Sequence, residues 1–120
     1  PGFGLTHTLP RIIGVQKANL LFLTGRRING ATAYDWGLGD LLAETSEVRA
    51  KAIELAAEIA INAPLAVTEV REQVRPDLAD AVQAATDIEG KAQFHLQRTA
   101  DHKEGVKAVA ERRPGNFKGH

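Results

Sequence analysis

No cysteine and no methionine occurs in the 120 residues. Without thiols there is no disulfide framework, no thiolate nucleophile and no cysteine-ligated zinc, and a reducing compartment, the cytoplasm, is the expected location. Aromatic side chains are scarce, six in all against 19 alanines. Such a chain can bring helices close together but has little bulk for a core of its own. Neither sign of charge is in excess, with 15 Lys and Arg against 15 Asp and Glu. That argues against a nucleic-acid or anionic-membrane binder, since both draw on a basic surplus. The longest apolar stretch, Ala18 to Leu23 with Asn19 in its midst, is far short of a membrane span. No secretory signal is visible. Strand-like alternation is nearly missing, and no initiator methionine precedes Pro1. The chain is expected to be part of something larger, either a piece of a longer protein or the arm of an obligate oligomer.

What is present is dense helical punctuation. Pro1 to Leu5 reads as a glycine-rich loop. Thr6 is placed to cap a short helix ending at Ile13, with Pro10 accommodated in its first turn. Gly14 breaks that helix, and Val15 to Leu23 forms the next, with Val15, Ala18, Leu21 and Phe22 on one stripe. Gly25 suits the left-handed stop of a helix, and Asn29 suits the N-cap of another that carries Ala31, Ala33, Tyr34 and Trp36. Gly37 ends it, and Leu38 to Leu42 reads as a short extended strand. From Thr45 or Ser46 a longer amphipathic helix is predicted, with Val48, Ala52, Leu55, Ala56, Ile59 and Ala60 inward. Pro64 opens a further helix. Asp77 is a plausible cap for a helix of about 20 residues, ~30 Å long, whose stripe is Leu78, Val82, Ala85, Ile88, Ala92 and Leu96. Gly90 inside it implies a close neighbour, because glycine costs ~1 kcal/mol there relative to alanine. Asp101 and Glu104 have the spacing of a capping box for the last helix.

Several collinear segments resemble one family. "LLFLTGRRINGATAYDWGL" (residues 20–38) is similar to the "LLLTG.RI.A..A...GLV" segment of the crotonase superfamily, the enoyl-CoA hydratases and isomerases. "PGFGLTHTLPRIIG" resembles "PGAGGTQRLPRLVG", with Gly2, Gly4, Thr6, Leu9, Pro10, Arg11 and Gly14 in matching places. "AAEIAINAPLAVTEVRE" and "TADHKEGVKAVAERRPGNFKGH" extend the match to the end of the chain. Leu5 in place of the second glycine, Asn29-Gly30 in place of a more helix-friendly pair, and Gly39-Asp40 in place of "VN" depart from the pattern.

The resemblance implies a mainly α chain that is the C-terminal helical half of an α/β fold, the crotonase ββα spiral. Residues 1–44 would close the spiral core, and residues 45–120 would form the helical trimerisation region. It implies an acyl-CoA substrate with no cofactor beyond coenzyme A as carrier, and a homo-trimer or dimer of trimers. The activity implied is hydration of a 2-enoyl-CoA thioester. Double-bond isomerisation in the same family is the first alternative, and a non-catalytic helical oligomerisation module is the second. The family's oxyanion-hole residues and both its glutamates lie upstream of the segment matched by Pro1, so no catalytic residue is assigned within the chain. Gly2 stands where the dienoyl-CoA isomerase branch has an acidic residue, which disfavours that branch.

Within the chain itself, the acidic residues of Glu44 to Glu58 and Asp77 to Glu89 are spaced as solvated helix faces. His7, His95, His102 and His120 are scattered, with no two at i, i+4, so no metal site is expected. Tyr34 and Trp36 read as packing residues. The C-terminal cluster of Arg112, Arg113 and Lys118 around Phe117 suits coenzyme A, which carries phosphates and an adenine. The candidate contacts are Lys118, Arg112 and Phe117.

Overall fold

Glycine and asparagine end and begin the early helices as their backbone preferences dictate. A computed structural model describes residues 1–120, and it contains seven helices and no strand. Helix α1 (Leu5–Ile13) runs into Gly14, whose φ of 82° only glycine adopts readily, and α2 (Val15–Thr24) starts directly after it. Gly25, at φ 61°, closes α2 with its N–H donating to the Leu21 carbonyl. Asn29 accepts from the Thr32 N–H at 2.8 Å and opens α3 (Gly30–Asp35), as its position in the sequence predicts. The later helices are α4 (Val48–Ala60), α5 (Pro64–Val74), α6 (Leu78–Leu96) and α7 (Ala100–Ala110), with Pro64 in the first turn of α5.

Four local expectations are corrected. Helix α1 starts at Leu5, so Pro10 lies well inside it and Thr6 is a helical residue, not the cap. Leu38 to Leu42 is irregular: a strand is defined by a ladder partner, and none exists in this chain. Asp77 has φ 58°, a left-handed conformation rather than the extended one of an N-cap. Gly90 is exposed, and a Cβ built on it would meet nothing within 4 Å, so no neighbour in this chain explains it.

The chain divides into two compact units, residues 8–80 and residues 1–7 with 81–120. That division follows compactness and is a different partition from 1–44 and 45–120. In the first unit, Leu9, Ile13 and fully buried Ala18 form the core, and Leu21, Phe22 and Trp36 pack against it. Trp36 also carries the Lys17 ammonium 5.6 Å from its ring centre. Tyr34, read as a packing residue, is 46% exposed. Helix α4 forms as its periodicity predicts, but its stripe is uncovered, with Val48, Leu55 and Ile59 all exposed. The second unit buries Ala108 and one charged residue, Glu89. Four buried apolar residues in the whole chain match the expectation of little self-sufficient core.

Candidate functional site

Two polar assemblies, both in the unit made of residues 1–7 and 81–120, concentrate the electrostatics of the chain. The first is centred on Glu89. The residue is 6% exposed, and its carboxylate accepts the Gly4 N–H at 2.8 Å on Oε2. On Oε1 it accepts the Thr6 N–H at 2.8 Å and the Thr6 hydroxyl at 2.6 Å. The Thr6 hydroxyl, and less strongly the two N–H groups, hold this carboxyl below the usual range against the opposing effect of burial. Glu89 was expected on a solvated face. It lies seven residues after Val82 and four after Ala85, on the half-buried stripe of α6, whereas Ile88 is 70% exposed. Reading the stripe one residue later would have found it.

The turn that Glu89 receives is tight. Phe3 has φ 59° and Gly4 φ 74°. For phenylalanine the left-handed region costs roughly 1–2 kcal/mol. Gly4 lies against α6: a Cβ there would stand 2.8 Å from Val82 Cγ1 and 3.1 Å from the Val82 carbonyl oxygen. The Gln93 side-chain amide donates to the Pro1 carbonyl, one turn further along α6.

The second assembly is a clasp between α7 and the tail that follows it. Thr99, not Asp101, caps α7, accepting from the His102 N–H at 3.1 Å. Asp101 and Glu104 make no capping box, because both carboxylates turn to the tail. Asp101 accepts the Lys118 and Gly119 N–H groups, each at 2.7 Å, and its own N–H donates to the His120 carbonyl at 3.1 Å. Glu104 receives Arg113 in a two-pronged pair at 2.6 and 3.1 Å, plus the Asn116 N–H at 2.9 Å. The hydrogen bonds from Arg113, then that from Asn116, push the Glu104 carboxyl down to about 2. The Lys118 and Gly119 N–H groups lower Asp101. The same Glu104 pairing, followed by Glu111 at 2.6 Å from Nε, raises the Arg113 guanidinium above its ordinary value.

The chain reverses into the tail at Arg112, with φ 52°. Its N–H donates to Val109 and that of Arg113 donates to Ala108, the paired bonds of a Schellman stop with arginine where glycine is usual. Phe117 lies over Gly105 and Gly115, its Cε1 3.5 Å from where a Gly105 Cβ would be.

These contacts locate the three sequence-derived candidates. Arg112, Phe117 and Lys118 are all exposed, and all stand on the clasped segment. Arg113, the fourth member of that cluster, is committed to Glu104 and Glu111. A cleft of about 290 Å³ is lined by Ala100, Asp101, Glu104, Asn116, Lys118 and His120. Two carboxylates on its wall make it a poor seat for a phosphate. Lys118 and Arg112, both exposed, are the other two cations of this segment.

The enoyl-CoA hydratase/isomerase family model matches residues 1–120. YngF of Bacillus subtilis (strain 168), whose name places it among enoyl-CoA hydratases/isomerases, is 36% identical over 119 residues, covering 99% of this chain and 46% of that protein. The short-chain-enoyl-CoA hydratase of Clostridium acetobutylicum is 32% identical over 113 residues, or 94% of this chain and 43% of its own length. A crystal structure of an enoyl-CoA hydratase/isomerase from Pseudoalteromonas atlantica T6c superposes with a TM-score of 0.88 at 29% identity, over 98% of this chain and 48% of that one. The chain thus spans about half the length of the relatives it matches.

Proposed function

The chain belongs to the enoyl-CoA hydratase/isomerase family, the crotonase superfamily, and we propose that the whole protein hydrates a 2-enoyl-CoA thioester. The end-to-end match of the hydratase/isomerase family model to residues 1–120 supports the acyl-CoA reading, and the likeness to a relative named as a short-chain-enoyl-CoA hydratase favours hydration. Hydration of a conjugated thioester needs two N–H donors aimed at the developing oxyanion, and carboxylates that activate water and protonate the α-carbon. A catalytic carboxyl of that kind titrates near the working pH. Glu89, the one buried carboxyl of this chain, is shifted the other way and already accepts three hydrogen bonds. It is therefore assigned no acid–base role; the family resemblance implies that the catalytic pair lies upstream of the segment matched by Pro1. The same resemblance puts the nearer glutamate a few residues before Pro1, and with it the Pro1–Thr6 turn beside the acyl group.

The role of residues 45–120 is assembly of a trimer, or a dimer of trimers, and closure of the coenzyme A pocket. The uncovered apolar side chains of α4 and α5, among them Ile53, Ile59, Leu65, Val70 and Val74, support assembly. The displayed Arg112, Phe117 and Lys118 support closure, as phosphate and adenine contacts; coenzyme A is the substrate carrier and no further cofactor is invoked. No helix is long and apolar enough to cross a membrane.

The test is the full-length protein with crotonyl-CoA, followed by loss of the conjugated enoyl-thioester absorbance. Hydration supports the reading. Conversion of a 3-enoyl-CoA without hydration of the 2-enoyl isomer turns it to the isomerase branch. Inertness toward both leaves a non-catalytic helical module as the function. Replacing Arg112 and Lys118 together by alanine is expected to raise KM for the acyl-CoA and to spare the rate at saturation.

A further inference from the structure

Three donors converge on Glu89, and none of them comes from its own helix. Gly4 precedes α1 and Thr6 is its second residue. Their N–H groups are among those left over at any helix start, which a nearby Ser, Thr, Asp or Asn side chain ordinarily satisfies. Here Phe3 and Gly4 offer no such side chain. The acceptor comes from 83 and 85 residues away. The turn closes on its own Leu5 N–H to Gly2 carbonyl bond at 3.2 Å with Gly4 at positive φ, and α6 supplies the acceptor that its remaining N–H groups lack.

That shape needs an external hold. A bulky residue in the left-handed region persists only where its surroundings over-determine it, and Phe3 is such a residue. Val82 on one side of Gly4, Glu89 on the N–H groups and Gln93 on the Pro1 carbonyl fix the turn at three successive points of α6. What the fixed turn displays is the Phe3 ring, 94% exposed.

We infer that Glu89 is a positioning residue, which locks the Pro1–Thr6 turn to α6 so that Phe3 and the backbone beside it meet the acyl group in one geometry. The inference rests on the reading above that this turn borders the acyl-CoA site. Glu89 acts through the turn and touches no reacting atom.

The experiment uses the full-length protein and compares Glu89→Gln, Thr6→Val and the double variant Phe3→Asn with Glu89→Gln. Glutamine keeps the shape but replaces one accepting oxygen with a donor. Valine removes only the hydroxyl bond at an exposed position and leaves α6 intact, which covers a Glu89→Gln protein that does not fold. Asparagine tolerates the left-handed region and lessens what Glu89 must hold.

In Glu89→Gln, hydrogen exchange at Gly4 and Thr6 should quicken about tenfold, the scale of one lost charge-assisted bond. The kcat should fall by a similar factor of about ten, while KM stays within about twofold. Thr6→Val should shift both in the same direction by less, and Phe3→Asn should recover part of the exchange protection. Unchanged exchange in both single variants, or a loosened turn with unchanged kcat, overturns the inference. Exchange at Gly4 and Thr6 needs no substrate. An inactive wild type with a turn that loosens in Glu89→Gln therefore sinks the enoyl-CoA reading and leaves the lock standing. An active wild type with an unmoved turn sinks the lock alone.

Discussion

The two compact units are held by different forces. Residues 8–80 rely on an apolar nucleus, Leu9, Ile13 and Ala18 with Leu21, Phe22 and Trp36 around it, and the Lys51 to Glu54 ion pair there is exposed. Residues 1–7 and 81–120 bury little apolar surface but hold three carboxylates, Glu89, Asp101 and Glu104, each bound to backbone N–H groups distant in sequence. Apolar burial is indifferent to pH and non-directional. Carboxylate clasps depend on pH and fix direction. The first device gives bulk cohesion, and the second gives defined loop geometry.

The largest effect should come from attacking the apolar nucleus. Ile13 is 5% exposed, and truncating a buried isoleucine costs about 2–5 kcal/mol. Ile13→Ala should therefore strip exchange protection from residues 9–24 and lower the midpoint of chemical denaturation, with no change in its pH dependence. A cost below about 1 kcal/mol would mean that this nucleus is not what holds the unit together.

What the sequence conveyed follows the same division. Signals confined to a few residues were legible: Gly14, Gly25 and Gly37 at positive φ, Asn29 as a cap and Pro64 in a first turn all appear where local chemistry puts them. The helical class was legible too, from periodicity and from the resemblance. Bonds that close over long separations were not. Glu89 reaches back 85 residues to Gly4, and nothing near Glu89 announces that partner. Asp101 and Glu104 have capping-box spacing, yet Thr99 takes the cap and the carboxylates go to a tail 17 and 12 residues on. Leu38 to Leu42 reads as a strand by its place after Gly37, but pairing is a property of two segments and no ladder partner lies in this chain. For the candidate contacts Arg112, Phe117 and Lys118, composition suggested the chemistry; their display on a clasped segment is visible only in three dimensions.

Acid should act selectively on the carboxylate unit. The Glu104 carboxyl is depressed from 4.5 to about 2, and Glu89 and Asp101 are lowered as well. A carboxyl with a depressed folded-state value contributes stability that is fully present above its unfolded value. That contribution fades as pH falls from about 4.5 toward 2 for Glu104. Below that window the folded and unfolded states bind the same proton and the contribution is gone. The Asn116 N–H should lose exchange protection across it, and those of Lys118 and Gly119 should lose theirs as acid protonates the lowered Asp101, while residues 9–24 respond less. Glu104→Gln should release Arg113 and Asn116 at neutral pH and remove much of the acid response of that segment. If the tail amides keep their protection in the variant, Glu104 is not the anchor of the clasp.

The smallest expected effect has the opposite sign and separates stability from binding at one position. Arg112 occupies the left-handed stop of α7 at φ 52°, where glycine is at ease and arginine carries roughly 1–2 kcal/mol of backbone strain. Glycine gives back roughly 0.5–1 kcal/mol through the greater freedom of its unfolded chain. Arg112→Gly should therefore stabilise by a net of about 0.5 kcal/mol, visible as a slightly higher Tm. A site kept at a disadvantage in stability is a common cost of function. In the same variant the affinity for coenzyme A should fall if the guanidinium contacts a phosphate. A higher Tm with unchanged affinity would assign Arg112 to the reversal of the chain alone and leave Lys118 as the cation of the tail.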